Sequence, residues 1–240
     1  MRIMRPLVLN FGIVVLAFAL TAAVYNRLPG LVPTHWNIDG NVDGRMAKPW
    51  GPFVLPLTMA ALFAVLAILP RISPRNYDMT PFSRTYGVIQ FAILGYLFFV
   101  NALVLAAGLG WPVSVNRLMP IGLGGLFALL GNFMGKVTPN FFVGIRTPWT
   151  LADPEVWLRT HRFAGWLMML MGLAVAVAGP LGVGMRWLLA AISGGPLVKS
   201  RTWMSTWFAS PGTASSSSSA LAPPRSFVTD TEAVSPPRCA

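Results

Sequence analysis

Two polar stretches hold most of the side chains in this chain that could bind or react. The richer is Pro139–Gly165, PNFFVGIRTPWTLADPEVWLRTHRFAG, where Asn140, Arg146, Thr147, Trp149, Thr150, Trp157, Thr160, His161 and Arg162 lie between apolar flanks. Guanidinium groups fork onto phosphate or carboxylate, and an imidazole beside them can share an anion's charge. At helical spacing Trp157, His161 and Gly165 fall on one face, with Arg159 and Arg162 on another. The stretch then forms a polar platform for an anionic group. The competing structural reading is an interfacial belt, with Trp149 and Trp157 at headgroup depth and the arginines setting topology. The second stretch, Asn26–Gly51, carries His35, Trp36, Asn37, Asp43 and Lys48. Its Asp39-Gly40 and Asp43-Gly44 pairs predict tight turns, so it reads as an ordered loop whose surface grips a headgroup or a peptide.

No catalytic signature accompanies these residues. His35, Asp39 and Asp43 are close in sequence, but no HExxH, paired CxxC or EF-hand spacing occurs. A GxSxG elbow, a Walker loop and a dinucleotide fingerprint are absent too. Neither a metal nor a cofactor is expected, and the chain reads as a non-enzyme. Cys239 is the only cysteine, which excludes an intrachain disulfide. The net charge of +11 is spread along the chain beside apolar segments. That distribution fits membrane topology and anionic lipid, and no direct nucleic-acid binding is expected.

The elements that must position these stretches are membrane spans. The chain is 55% hydrophobic and 10% charged, whereas soluble domains average roughly 25% charged residues. The fold class expected is an all-α integral membrane protein with about five transmembrane helices. Met1–Tyr25 is an uncleaved first helix, its apolar run broken only by Asn10 and Thr21. Phe53–Leu69 is the second span. Gly87–Trp111 is the third and carries Gln90 and Asn101. Leu118–Met134 is the fourth, with Gly122, Gly124, Gly125 and Gly131 for close packing, and Phe163–Met185 is the fifth. Asp153-Pro154 is a helix start, with aspartate at the N-cap and proline at the first helical position; that helix runs on into the fifth span. A sixth span is weak or missing, since Trp187–Ile192 is too short. The serine run Ser215–Ser219 and the following prolines predict a disordered tail over 186–240.

Lysine and arginine beside the spans set the orientation. With the N-terminus cytoplasmic, Arg2, Arg5, Arg71, Arg75, Arg84, Lys136, Arg146, Arg159 and Arg162 lie inside. Arg27, Arg45, Lys48 and Arg117 lie outside. His35 and His161 then face opposite sides and cannot share a metal. Asn132 and Asn140 bracket the end of the fourth span, where an unpaired amide is costly; each is expected to bond backbone or the GIRTPWT loop.

These residues also carry a resemblance. LPGLVPTHWNIDGNVDGRMAK (Leu28–Lys48) resembles the loop of a small bacterial membrane domain of unknown function. GNFMGKVTPNFFVGIRTPWTLADPEVWLRTHRFAGWLMMLMG (Gly131–Gly172) resembles the signature of the SdpI/YfhL family, the immunity proteins against a sporulation-delaying toxin. The resemblance implies a multi-span protein of the bacterial plasma membrane. It implies an N-terminal membrane domain over 1–70 and an SdpI-like domain over 71–185; the family usually continues with another apolar segment, and the tail over 186–240 departs from that pattern. It also implies protection against, or sensing of, membrane-active peptides. The partners would be membrane lipids, a peptide toxin outside and a transcriptional repressor inside. A reading from another class is a lipid-binding or lipid-modifying protein that uses Arg146, His161 and Arg162 on a phosphate. A transporter is less well matched, because the spans hold few ionisable groups.

Overall fold

A computed structural model describes residues 4–37, 39–74 and 79–181. The expectations for 186–240, Cys239 and the end of the fifth span, and those on Arg2 and Arg75, lie outside these residues. In order the elements are α1 (Met4–Val24), β1 (Leu31–Trp36), β2 (Val42–Ala47), α2 (Val54–Ile68), α3 (Ser83–Gly108), α4 (Val115–Met134), α5 (Pro148–Ala152) and α6 (Pro154–Ala178). Among the described residues five helices, α1 to α4 and α6, are long and apolar enough to cross a membrane. The protein is an all-α integral membrane protein with one small hairpin.

Mean hydropathy separates these helices into two groups. The windows in α1, α2 and α3 average 2.5, 2.4 and 2.2, while those in α4 and α6 average 1.3 and 1.4. The first group is tied together by polar residues inside apolar runs. The Asn10 amide on α1 donates to Gln90 Oε1 on α3 at 2.9 Å, and the Gln90 amide donates to the Leu66 carbonyl on α2 at 3.0 Å. The Tyr86 hydroxyl reaches the same carbonyl at 2.7 Å. About three turns further along both helices, the Asn101 amide donates to Thr21 Oγ1 at 3.4 Å. The two pairs advance together, so α1 and α3 are parallel, as an alternating bundle requires. Apolar contacts of Val14, Ala17, Met59 and Leu94 fill the layer between them.

The second group is tied by missing side chains. Gly131 faces the carbonyl of Gly165, and Gly124 faces the backbone of Gly172 and Ala176. At the far end Gly179 lies under the Arg117 carbonyl. An added Cβ at Gly165 would come within 2.6 Å of the Gly131 oxygen. The antiparallel α4–α6 pair therefore approaches backbone to backbone, as small residues permit in lipid. Packing accounts for Gly124 and Gly131, as the sequence suggests. Gly125 has nothing near it, and Gly122 only accommodates the Phe99 ring.

The two polar stretches lie at opposite ends of this bundle. The hairpin reaches the last turn of α3, where Leu28 and Val32 pack against Val104 and Leu105. Its tip reaches the start of α4 through Asn116 and the Asp39 carbonyl. The other stretch meets the start of α3: Met79, Phe82 and Tyr86 form one core with Val137 and Trp157. Exposed tryptophans mark both ends, Trp50 and Trp111 beside the hairpin and Trp149 and Trp166 beside the loop, as interfacial belts do.

Candidate functional sites at the two ends of the bundle

At the loop end the local sequence dictates a rigid turn. The Asn140 side chain is fully buried and uses its whole hydrogen-bonding capacity. Its amide donates to the carbonyls of Thr138 at 2.9 Å and Val143 at 2.8 Å. Its oxygen accepts from the Phe142 N–H at 2.8 Å and the Val143 N–H at 2.7 Å. Thr147 and Thr150 form a reciprocal capping box that starts α5, and the Thr150 hydroxyl also donates to the Ile145 carbonyl at 2.9 Å. Asp153 then caps α6, accepting from the Glu155 N–H at 2.7 Å, with Pro154 at the first helical position. This is the helix start that Asp153-Pro154 predicts.

His161 is drawn into the same framework. Its Nε2 accepts from the Ile145 N–H at 2.9 Å, and its Nδ1 faces the Trp157 carbonyl at 2.8 Å. A backbone N–H can only donate and a carbonyl can only accept, so the ring is neutral and carries its proton on Nδ1. The imidazole stacks on the Trp157 ring at 4.0 Å and 18°, and the indole N–H donates to the Val137 carbonyl at 2.7 Å. Gly144, at φ +121°, is required beneath this pair, because a Cβ there would collide with His161 Nε2. Trp157, His161 and Gly165 do share one buried face. Both imidazole nitrogens are used by backbone, however, so the ring has none left for an anion.

The cations of this end remain outside. Arg146 lies over the Phe141 ring at 4.3 Å, and Arg159 pairs with Glu155 at 2.8 Å on an exposed surface. Trp149 is exposed and Thr160 half-buried. Asn132 departs from its expected role: among the described residues it bonds neither loop nor backbone, but stands exposed in a groove with Lys136 and Arg162. The reason is helical phase. Gly131 faces α6, so the next residue points aside.

The hairpin end is built differently. Its strands pair antiparallel, Leu31 opposite Ala47 and Val32 opposite Met46, with a register shift near Thr34. The Asn37 side chain organises the tip by accepting from the N–H groups of Asp39 at 3.0 Å and Asn41 at 2.9 Å. Gly40 takes a positive φ of 81° in the turn, as Asp39-Gly40 predicts. Asp43-Gly44 makes no turn and lies inside β2, where a side chain at Gly44 would strike His35 Cβ at 2.8 Å. Lys48 donates to the Leu28 carbonyl at 3.1 Å and lies over the Tyr25 ring, locking the hairpin base.

Two features of this end face outward. His35 Nδ1 lies 2.6 Å from Asp43 Oδ1, with both side chains well exposed. Among the described residues no three potential metal ligands converge here or elsewhere. Below the pair is a cavity of about 630 Å³, the size of a small-ligand site. Its walls include Val54 of α2, Leu103 of α3 and Met119 of α4; Thr34, His35 and Asn116 supply polar atoms at its rim. Sequence reasoning singled out the rim residues His35, Trp36 and Asn37 but missed the walls. Those wall residues come from three helices far apart in sequence and read as ordinary span residues.

With this geometry in place, two family models align with the two ends. Residues 12–60, with the hairpin, match the Domain of unknown function (DUF1648). Residues 136–212, with the loop, match the SdpI/YfhL protein family. Among curated proteins, the "Immunity protein SdpI" of Bacillus subtilis (strain 168) is 28% identical over 175 residues. That alignment spans 72% of this chain and 81% of the relative. No solved structure matches the chain.

Proposed function

We propose that this multi-pass membrane protein, which is similar to the SdpI/YfhL family, protects its cell against membrane-active peptides by capturing them at the hairpin end. The similarity is to an immunity protein and not to an enzyme family. The observation that carries the proposal is the cavity under the hairpin, apolar on its walls and polar at its rim. An amphipathic peptide lying at the membrane surface has one apolar and one polar face. Its apolar side chains enter the cavity, while its backbone and polar side chains meet His35, Asn37 and Asn116. Capture is the chemistry that this arrangement supports.

The loop end serves the same reading as a rigid cytoplasmic face. With the N-terminus inside, Arg146 and Arg159 project from a framework held by the hydrogen bonds of Asn140, Thr150 and His161. Such a surface can hold a transcriptional repressor when the outer end is occupied, which makes the protein a sensor as well as a shield.

A deletion strain challenged with a panel of membrane-active peptides tests both parts. Wild type restores resistance, and a variant with the cavity filled, Met119→Trp, does not. Arg146→Ala retains resistance but loses any transcriptional response. Unchanged sensitivity across the panel after deletion would sink the proposal.

A further inference from the structure

A groove of about 270 Å³ lies between the loop-facing ends of α4 and α6, apart from the hairpin cavity. Its lining includes Gly131, Gly135 and Gly165, the first and last of which face the backbone of the opposite helix. Its rim carries Asn132, Lys136 and Arg162, all exposed. We propose that this groove holds the headgroup of an anionic phospholipid, with the phosphodiester between Lys136 and Arg162.

Charge is the first argument. Among the described residues the carboxylates at this end are committed elsewhere: Glu155 pairs with Arg159 at 2.8 Å, and Asp153 caps α6. Lys136 lies over the Phe133 ring at 4.6 Å, and no carboxylate among the described residues pairs with it or with Arg162. Two neighbouring cations beside an amide donor, with no counter-charge among the described residues, match a phosphodiester.

Position is the second argument. Arg162 lies across Gly135, where an added Cβ would come within 3.1 Å of Arg162 Cγ. One turn deeper in α6, Trp166 is 64% exposed and lines the same groove with Met169. An exposed indole beside a basic rim marks headgroup depth. A free phosphate would use the cations but leave this apolar wall bare. A phospholipid covers it with glycerol and acyl carbons, which favours lipid as the source of the anion.

The test is native mass spectrometry of the full chain in neutral detergent, with phosphatidylglycerol or phosphatidylcholine of identical chains added. Phosphatidylglycerol is retained in preference. Lys136→Gln and Arg162→Gln each lower its occupancy by about fivefold, the effect of one cation at a membrane surface. Arg159→Gln removes an equal charge outside the groove and stays within about twofold of wild type. Gly135→Val keeps every charge but displaces the Arg162 stem, and it loses the lipid as Arg162→Gln does. Circular dichroism of each variant shows the wild-type helix content. Equal losses for Arg159→Gln and Arg162→Gln would reduce the effect to general surface charge and overturn the site. Equal retention of the two lipids would overturn it as well. Displacement of the lipid by millimolar inorganic phosphate would overturn the lipid as ligand.

Discussion

The loop end and the hairpin end use their polar residues in opposite ways. At the loop end Asn140, Thr150, Trp157 and His161 all turn inward, and their donors and acceptors are consumed by backbone. At the hairpin end His35 and Asp43 pair on the exposed surface above a cavity of about 630 Å³. The stretch richest in chemically capable residues is thus the one with least chemistry to spare. A buried polar group without a partner costs about 1–3 kcal/mol, so a turn that leaves many backbone groups dry needs many polar side chains to satisfy them. Density of polar residues in a membrane loop measures that demand as much as it measures function.

The strongest way to break this comparison is Asn140→Ala. It strands two N–H groups and two carbonyls, and a loss of roughly 3 kcal/mol or more is expected, read as thermal unfolding of the protein in nanodiscs. A near-neutral result would show that the loop end is as loose as the hairpin end. Gly144→Ala comes next, at about 2 kcal/mol, because an L side chain at φ +121° is strained and its Cβ strikes His161. Nitrogen-15 NMR of the imidazole sharpens the point: wild type shows one neutral Nδ1–H tautomer, and the variant shows a mixture.

Smaller stability effects belong to the hairpin end. Met119→Trp fills the cavity and shifts stability by about 1 kcal/mol or less, since it enters space instead of a packed core; resistance to peptides falls even so. His35→Ala is the mildest, below about 1 kcal/mol for an exposed pair, with its effect confined to peptide capture. If either substitution unfolded the protein, the hairpin end would prove structural and the comparison would fail.

Much of the fold is legible in the chain itself. Apolar runs of spanning length place the five helices, since a bilayer tolerates few other structures. Asp153-Pro154 announces the start of α6 and Asp39-Gly40 the hairpin turn, because capping and positive φ are local requirements. Asn10, Thr21, Gln90 and Asn101 stand out as polar interruptions, and the equal spacing of the two pairs could have revealed α1 and α3 as partners. Asp43-Gly44 misleads, because what requires glycine there is a neighbouring side chain and not a turn.

What the sequence by itself determined is therefore the set of spans, their alternation and the local caps, all governed by hydropathy and backbone chemistry within a few residues. Only the tertiary structure decided which polar residues are free. His161 and Arg162 are adjacent and both looked available for an anion, yet one helical step of about 100° turns the first into the core and the second into the groove. The cavity walls come from three helices and the groove from two, so neither vacancy exists until those helices pack.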